Sequence, residues 1–393
     1  MSGTSPDKLY TSHFGLLCLS GFLFFAGFNM VIPELPDYLE SLGGSDYKGL
    51  IISLFTLTAG LSRPFSGKLT DKIGRVPVMI YGALVSALAA LCYPFVSSII
   101  GFLALRFFHG MSTGFKPTGT AAYVADIVPV SRRGEGTGLL GLCSGIGMAA
   151  GPYLGSEVTS IFSLNTMFYC SSALAILSIL VLFGIKETLT DREPFQAKHL
   201  KVRQADFLEP LVFPTALVML LNVYSFGMLL TVTPEVGRLF GFTNKGTYFS
   251  AFITASIAVR FIGGKASDKF GRTPVLMASS GLIVTALIST GLAQNQVTYL
   301  IGAAIYGLGI GLNHPTVMAW TIDLSSPQHK GRAFATMYIA LEVGIGLGAF
   351  ISGTYFSPNK QGFLLNCLIA AGFAGSALIY LLKKQLTYAK HTS

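Results

Sequence analysis

The stretch Arg63-Pro-Phe-Ser-Gly67-Lys-Leu-Thr-Asp71-Lys-Ile-Gly74-Arg75-Val-Pro77-Val78 returns as Arg260-Phe-Ile-Gly-Gly264-Lys-Ala-Ser-Asp268-Lys-Phe-Gly271-Arg272-Thr-Pro274-Val275, displaced by 197 residues at every matched position. The same displacement carries Gly110, Gly114, Asp126 and Gly134 onto Gly307, Gly311, Asp323 and Gly331. A register that survives this far along a chain is an internal repeat, so the protein is read as two copies of one unit. A polar stretch containing Asp191, Arg192, Glu193, Lys198, Lys201, Arg203 and Asp206 separates them. The expected organisation is therefore a first half at residues 1–189, a linker at 190–209 and a second half at 210–393.

The composition of each copy names its solvent. Hydrophobic residues make up 51% of the 393 positions and charged residues only 11%, against about a quarter charged in soluble proteins. Stretches such as Val78 to Gly101 and Phe162 to Ile185 contain no acid or base, and about 20 apolar residues suffice for a helix to cross a bilayer. Breaks between apolar runs give twelve spans, centred near Phe24, Thr56, Ala87, Met111, Met148, Leu174, Leu221, Ser256, Leu282, Leu308, Gly346 and Gly372. The fold class expected is an all-α membrane protein with two pseudo-symmetric six-helix bundles. The first span follows a polar segment, Met1 to His13, without a small-residue cleavage site, and is expected to remain as an anchor.

With both termini in the cytosol, nineteen of the 27 bases fall on inward segments and four on outward loops, as the positive-inside rule requires. The net charge of +9 is thereby a topology signal, and no nucleic-acid partner is expected. Five cysteines, all within predicted spans and without paired spacing, read as packing residues. Neither His-Glu-x-x-His, a phosphate-binding loop ending in Ser or Thr, nor a paired cysteine motif occurs. Gly307-x-Gly309-x-Gly311 lies within a span and reads as helix packing. No enzyme, metal site or cofactor is expected.

The Gly-x-x-x-Asp-Lys-x-Gly-Arg segment between spans 2 and 3, with its copy between spans 8 and 9, resembles the signature loop of the major facilitator superfamily. The resemblance covers essentially the whole chain and implies two parallel halves with a substrate site near the bilayer midplane. In span 5, Gly138, Gly147, Gly151-Pro152 and Gly155 resemble the signature of the twelve-span drug/proton antiporters, with Ser156 where that family usually carries a second glycine. The implied function is proton-coupled efflux of amphipathic small molecules by alternating access. The alternative is a proton-coupled importer or facilitator of a small organic metabolite, including an anionic one. A monomer in the inner or plasma membrane is expected.

Each match has its own physical reading. Gly67 and Gly74 permit a tight turn. Asp71 is placed to accept from neighbouring helix-end amides or to pair with an arginine such as Arg75 or Arg132. A conformational latch is expected at Arg63, Gly67, Asp71, Lys72, Gly74 and Arg75, with Gly264, Asp268, Gly271 and Arg272 as the weaker copy; a signal for membrane insertion is the bland reading of the same residues. Glycines at three- and four-residue spacing in span 5 admit another helix closely. Pro152 removes one backbone hydrogen bond there, and the aligned stretch in the second half keeps its glycines without the proline.

Charges within spans are costly and draw functional hypotheses. Arg106, His109 and Lys116 lie within about 80° of one another on span 4, a basic helix face. Arg106 with Gly110 and Gly114 resembles a family motif whose arginine is implied in proton coupling. Lys116 suits an acidic group of a substrate, or neutralisation by an acid such as Glu342 of span 11. His109 suits a proton relay or a packed, hydrogen-bonded role. Proton coupling is assigned to Arg106, Glu342 and His109. Many family members carry an acid in span 1, where this chain has Asn29, which turns the expected cargo away from simple cations. The resemblance places spans 1, 4, 7 and 10 around the substrate, giving Asn29, Lys116, Asn222, Tyr224, Tyr306, Asn313 and His314 as candidate contacts. Glu34 and Glu235 follow prolines at matching ends of spans 1 and 7 and read as hydrated helix-end residues or an outer proton site.

Overall fold

The computed structural model describes residues 9–44, 47, 50–201, 208–242, 247–355 and 359–392. Arg203 and Asp206 of the linker lie outside these, as do the surroundings of Glu235 and Gly264. The described residues form twelve long helices: α1 (Ser12–Met30), α2 (Leu50–Lys72), α3 (Arg75–Cys92), α4 (Ile99–Ile127), α5 (Arg133–Ile161), α6 (Leu164–Leu182), α7 (Phe213–Leu239), α8 (Thr247–Phe270), α9 (Arg272–Gly291), α10 (Gln296–Leu324), α11 (Lys330–Tyr355) and α12 (Lys360–Thr392). One helix falls on each predicted span.

Local chemistry sets the helix boundaries. Thr11, Ser98 and Ser163 begin α1, α4 and α6 by accepting from the amides of Phe14 (3.2 Å), Gly101 (3.1 Å) and Thr166 (3.1 Å), which satisfies donors that the first helical turn leaves open. The α2–α3 and α8–α9 turns each rest on one glycine at positive φ, Gly74 at 124° and Gly271 at 88°, a backbone region that side chains resist. A Cβ on Gly74 would also stand 2.8 Å from the Glu187 carboxyl carbon.

Eight of the twelve helices (α1, α3, α5, α6, α7, α9, α11 and α12) are long and apolar enough to cross a membrane by composition. The other four, α2, α4, α8 and α10, are related in pairs by the repeat. They carry Arg63 and Asp71, Arg106 and Lys116, Arg260 and Asp268, and Asn313 and His314. These four helices thus dilute their hydrophobicity with part of the polar side chains described below. Large apolar residues stand exposed along the chain, among them Leu61, Leu88, Leu180, Phe350 and Ile379, as expected where lipid replaces water.

Two compact units are present. The first comprises Met1–Val130, Leu142–Leu211 and Leu324–Tyr338; the second comprises Ser131–Gly141, Val212–Asp323 and Ile339–Ser393. In the first unit α4 packs on α2 and α3, and α6 packs on α1 and α3; in the second, α12 packs on α9 and α7. The first turns of α11 therefore belong to the first unit and those of α5 to the second. Both units are filled by aromatic and aliphatic side chains, Tyr93, Phe102 and Phe168 in the first and Tyr224, Tyr299 and Tyr306 in the second.

Candidate functional site

In the first unit Asp71 ends α2 and accepts from the backbone amides of Gly331 (2.7 Å) and Arg332 (2.9 Å) in the opening turn of α11. Those amides have no intrahelical partner, and the helix dipole favours a carboxylate there. One turn earlier, Gly67 allows the approach: a Cβ on it would lie 2.8 Å from Ala335 Cβ. Arg75 stands 3.8 Å from Asp71, bonds Asp126 at 2.9 Å and donates to the Thr70 carbonyl at 2.8 Å. Asp126 also receives the Lys330 ammonium at 2.7 Å. The buried Arg63 donates to Thr118 Oγ1 at 3.1 Å and lies 4.3 Å over the Tyr338 ring.

The second unit repeats this clamp. Asp268 of α8 accepts from the amides of Gly134 (2.8 Å) and Glu135 (2.9 Å) at the start of α5, and from Arg272 at 2.6 Å. Arg272 and Arg133 then share Asp323, at 2.8 and 2.7 Å. Arg133 and Lys330 are themselves 197 residues apart, so both aspartates, the arginine between them, the third base and the two helix-end amides of the first clamp have counterparts, whereas Thr118 and Tyr338, which meet Arg63, fall on Pro315 and Gly141. The sequence reading marked Asp126 and Asp323 as repeat positions but gave them no role; the displacement applied to all charged residues would have found the set. Arg132, considered as a partner of Asp71, instead bonds Glu135 at 2.7 Å.

The linker is fastened to the first clamp. Glu193 bonds Lys72 at 3.0 Å and His199 at 3.0 Å, and Lys68 donates to the Lys201 carbonyl at 2.8 Å. Lys72 foremost, with His199, holds the Glu193 carboxyl down at about 2. Glu187 caps α3 by accepting from the amides of Arg75 (3.1 Å) and Val76 (2.9 Å).

The span-5 glycines meet α1. A Cβ on Gly147 or Gly151 would come 2.5 Å from the carbonyl oxygen of Phe22 or Ala26, and one on Gly155 would collide with that of Met30. The residues met advance by four as the glycines do, so the two helices run in backbone contact for over two turns. Gly344 and Gly348 of α11 meet Leu220 and Tyr224 of α7 in the same way. Pro152 lies within α5, and α11 has no counterpart to it. Gly138 sits nearer the start of α5, in the segment grouped with the second unit.

On α4 the basic face is buried. Arg106 donates to the Ile51 carbonyl at 2.9 Å, lies 4.3 Å over the Phe55 ring and stands 3.5 Å from His109 Nδ1. His109 also meets Ser86 Oγ at 3.3 Å and the Tyr93 hydroxyl at 3.4 Å. Lys116 donates to Ser20 Oγ at 2.6 Å and sits 5.3 Å over the Phe24 ring. Ser20 in turn pairs with Ser178 at 2.9 Å. Among the described residues no carboxylate contacts the Lys116 ammonium, and Glu342 is half-buried on α11 in the other unit. Asn29, a candidate substrate contact, turns its amide to the Phe25 carbonyl of its own helix at 2.8 Å.

The second unit has a neutral polar cluster. Asn222 donates to Ser280 Oγ (3.0 Å) and Asn313 Oδ1 (2.8 Å), and its own Oδ1 is buried with no partner among the described residues. Tyr306 bonds Ser225 at 2.8 Å. Tyr224 stacks on Phe373 at 3.9 Å, and His314 is half-buried one residue beyond Asn313. Tyr306 and Asn313 occupy the repeat positions of His109 and Lys116. Seven residues are about two turns, so each pair shares one helix face. The serines that complete both clusters, Ser20, Ser86, Ser178, Ser225 and Ser280, carry no motif in the sequence.

Two repeat-related clamps and two polar clusters lie among apolar helices, and comparison with known proteins shows which family has this arrangement. The multi-drug resistance efflux pump PmrA of Streptococcus pneumoniae is 28% identical over 372 residues, covering 89% of this chain and 90% of its own. The multidrug resistance protein MdtG of Proteus mirabilis is 29% identical over 396 residues, covering 95% and 92%. The human organic anion transporter MFSD10 has the same fold, with a TM-score of 0.83, 20% identity and coverage of 94% and 98%. The profile of the Major Facilitator Superfamily matches residues 17–251 and again 215–391. The chain belongs to the Major Facilitator Superfamily and is a multi-pass membrane transporter of small molecules, not an enzyme.

Proposed function

We propose that this protein exports amphipathic small molecules in exchange for protons, as a monomer in the inner or plasma membrane with both termini and the 190–209 linker in the cytosol. The bodies that alternate are residues 1–189 and 210–393. The observation that carries the reading is the pair of aspartate clamps: each fixes a helix end through two hydrogen bonds to amides that water can equally satisfy, so each is able to release and re-form. The direction of transport rests on the multidrug efflux proteins that match some nine-tenths of the chain. Arg106, His109 and Glu342 are the groups assigned to proton coupling. Asn29, Lys116, Asn222, Tyr224, Tyr306, Asn313 and His314 are assigned to cargo.

Lys116 favours a second reading. A buried ammonium with a serine hydroxyl as its recorded acceptor calls for a counter-anion, and an anionic cargo would supply one. Linkage then fixes the direction. An anion beside Lys116 favours its protonated form, so proton and anion bind together and move together, whereas a cation competes with the proton and is exchanged for it. Proteoliposomes with an acid interior should accumulate a cationic amphiphile if exchange holds. Uptake of an organic carboxylate driven by an acid exterior, and abolished in Lys116→Gln, would replace exchange by cotransport. No gradient-driven flux of either probe would remove both.

A further inference from the structure

In the first unit, α2, α3 and α4 leave an apolar cavity of about 730 Å³ whose walls include Leu61, Phe65, Leu69, Tyr81 and Phe115. Phe195 and Leu200 of the linker also line it. The volume lies within the range of small-molecule sites, roughly 300–1,000 Å³. Along α2 the lining runs from Thr58 to Leu69, about 16 Å at the helical rise, which is about half of the ~30 Å hydrocarbon thickness and so spans one leaflet. Leu61 and Tyr81 are 57% and 41% exposed, so the cavity opens sideways towards lipid and not into the packed interior.

The chemistry changes at the linker end. Lys68 and Lys72 stand on the last turns of α2, and Lys198 and Lys201 are exposed beside Leu200. Glu193 is shared by Lys72 (3.0 Å), Lys198 (3.8 Å) and His199 (3.0 Å), so among the described residues one carboxylate serves two lysines and a histidine, and the mouth is rich in basic side chains. Phe195 and Leu200 are 60% and 47% exposed. Apolar residues interleaved with lysines in this way suit the boundary between headgroups and acyl chains.

We propose that this groove is a binding site for an anionic phospholipid, its acyl chain lying between α2, α3 and α4 under Phe195 and Leu200 and its phosphate held by Lys198 and Lys201. An apolar slot one leaflet deep fits a lipid tail, and the basic mouth selects the headgroup by charge, each lysine favouring an anionic surface about fivefold. The proposal does not depend on which cargo is carried. It does tie lipid to the clamp, because the segment that closes the groove is also bonded to Lys68 and Lys72, next to Asp71.

The chain has a single tryptophan, Trp320, so Phe115→Trp in a Trp320→Phe background places one fluorophore in the groove. Reconstitution with brominated-acyl phosphatidylglycerol or brominated-acyl phosphatidylcholine at equal mole fraction reads occupancy by quenching. The expected result is several-fold stronger relative binding of the phosphatidylglycerol, lost in Lys198→Gln/Lys201→Gln. Equal quenching by both lipids, no quenching by either, or a preference unchanged in the double variant overturns the proposal. As a check free of the tryptophan substitution, the otherwise unaltered chain should retain phosphatidylglycerol through detergent extraction, by mass spectrometry, and Lys198→Gln/Lys201→Gln should not. Equal retention by the two overturns it as well.

Discussion

The clamp around Asp71 and the clamp around Asp268 use the same residues at one displacement, yet they sit at different depths. The Asp71 side chain is 6% exposed and its Arg75 3%, against 11% for Asp268 and 13% for Arg272. The first clamp is covered by Glu187, which caps α3 beneath Gly74, and by the linker, whose Glu193 fastens Lys72. At the equivalent turn, a Cβ on Gly271 would meet nothing nearer than Pro274 Cδ at 3.8 Å. The third residue of the helix held by the first clamp is Arg332, bonded to Glu209 at 2.8 Å, whereas that of the second is Glu135, bonded to Arg132 and Lys265. A duplicated segment therefore reproduces the hydrogen-bond geometry, while the strength of each copy depends on what covers it, because a charge-assisted hydrogen bond weakens with access to water.

The comparison breaks most directly at the two aspartates. Asp71→Asn is expected to cut gradient-driven flux about tenfold at matched expression, from the ~1.5–3 kcal/mol that hydrogen bonds to a charged group supply. Asp268→Asn, slightly less covered at 11% exposed, is expected to cost two- to threefold, near the lower end of the ~0.5–1.5 kcal/mol of an ordinary hydrogen bond. Equal losses in the flux assay would mean that depth does not set clamp strength.

The two turn glycines sharpen the comparison with an intermediate effect. Gly74→Ala and Gly271→Ala both force a side chain into an extended positive-φ region (ψ 161° and 162°) that is essentially reserved for glycine, at about 1–3 kcal/mol, but only the first also displaces the Glu187 cap. Thermal melting in detergent should show the larger drop for Gly74→Ala, and a larger drop for Gly271→Ala would contradict the role given to Glu187. The smallest effect is expected at Glu193→Gln, since the pair with Lys72 is solvent-exposed and screened by salt. Its carboxyl is lowered to about 2 in the fold, so its contribution is complete above the ordinary carboxylate range of about 4.3 and is lost only as pH falls through about 2. The difference between Glu193→Gln and the unaltered chain should thus be flat from roughly pH 5 to pH 8; a difference that grows as pH falls across that window would show that a different group is titrating.

Most of the candidate site was half legible. Arg63, Asp71 and Arg75 were visible because a repeat preserves what geometry needs, and Gly147, Gly151 and Gly155 because a four-residue spacing keeps one helix face. The partners were not visible, since nothing in the local sequence marks Gly331, Arg332 or Lys330 as the ends that Asp71 and Asp126 hold. Ser20 and Ser178 were silent for the same reason: a serine in an apolar helix ordinarily bonds its own backbone, and only packing turned these two towards each other and Lys116.

By itself the sequence determined the twelve helices, the duplication and the family, because uncharged runs of about 20 residues can satisfy their polar backbone in lipid within one helix and a fixed displacement cannot arise by local preference. Tertiary structure alone decided which helix N-terminus each aspartate occupies, that Lys116 rests on a serine pair and Asn29 on its own helix, and that the linker closes a groove over α2. Those contacts join residues up to 261 positions apart, and such distances are set by how helices pack, which no periodicity within one helix records.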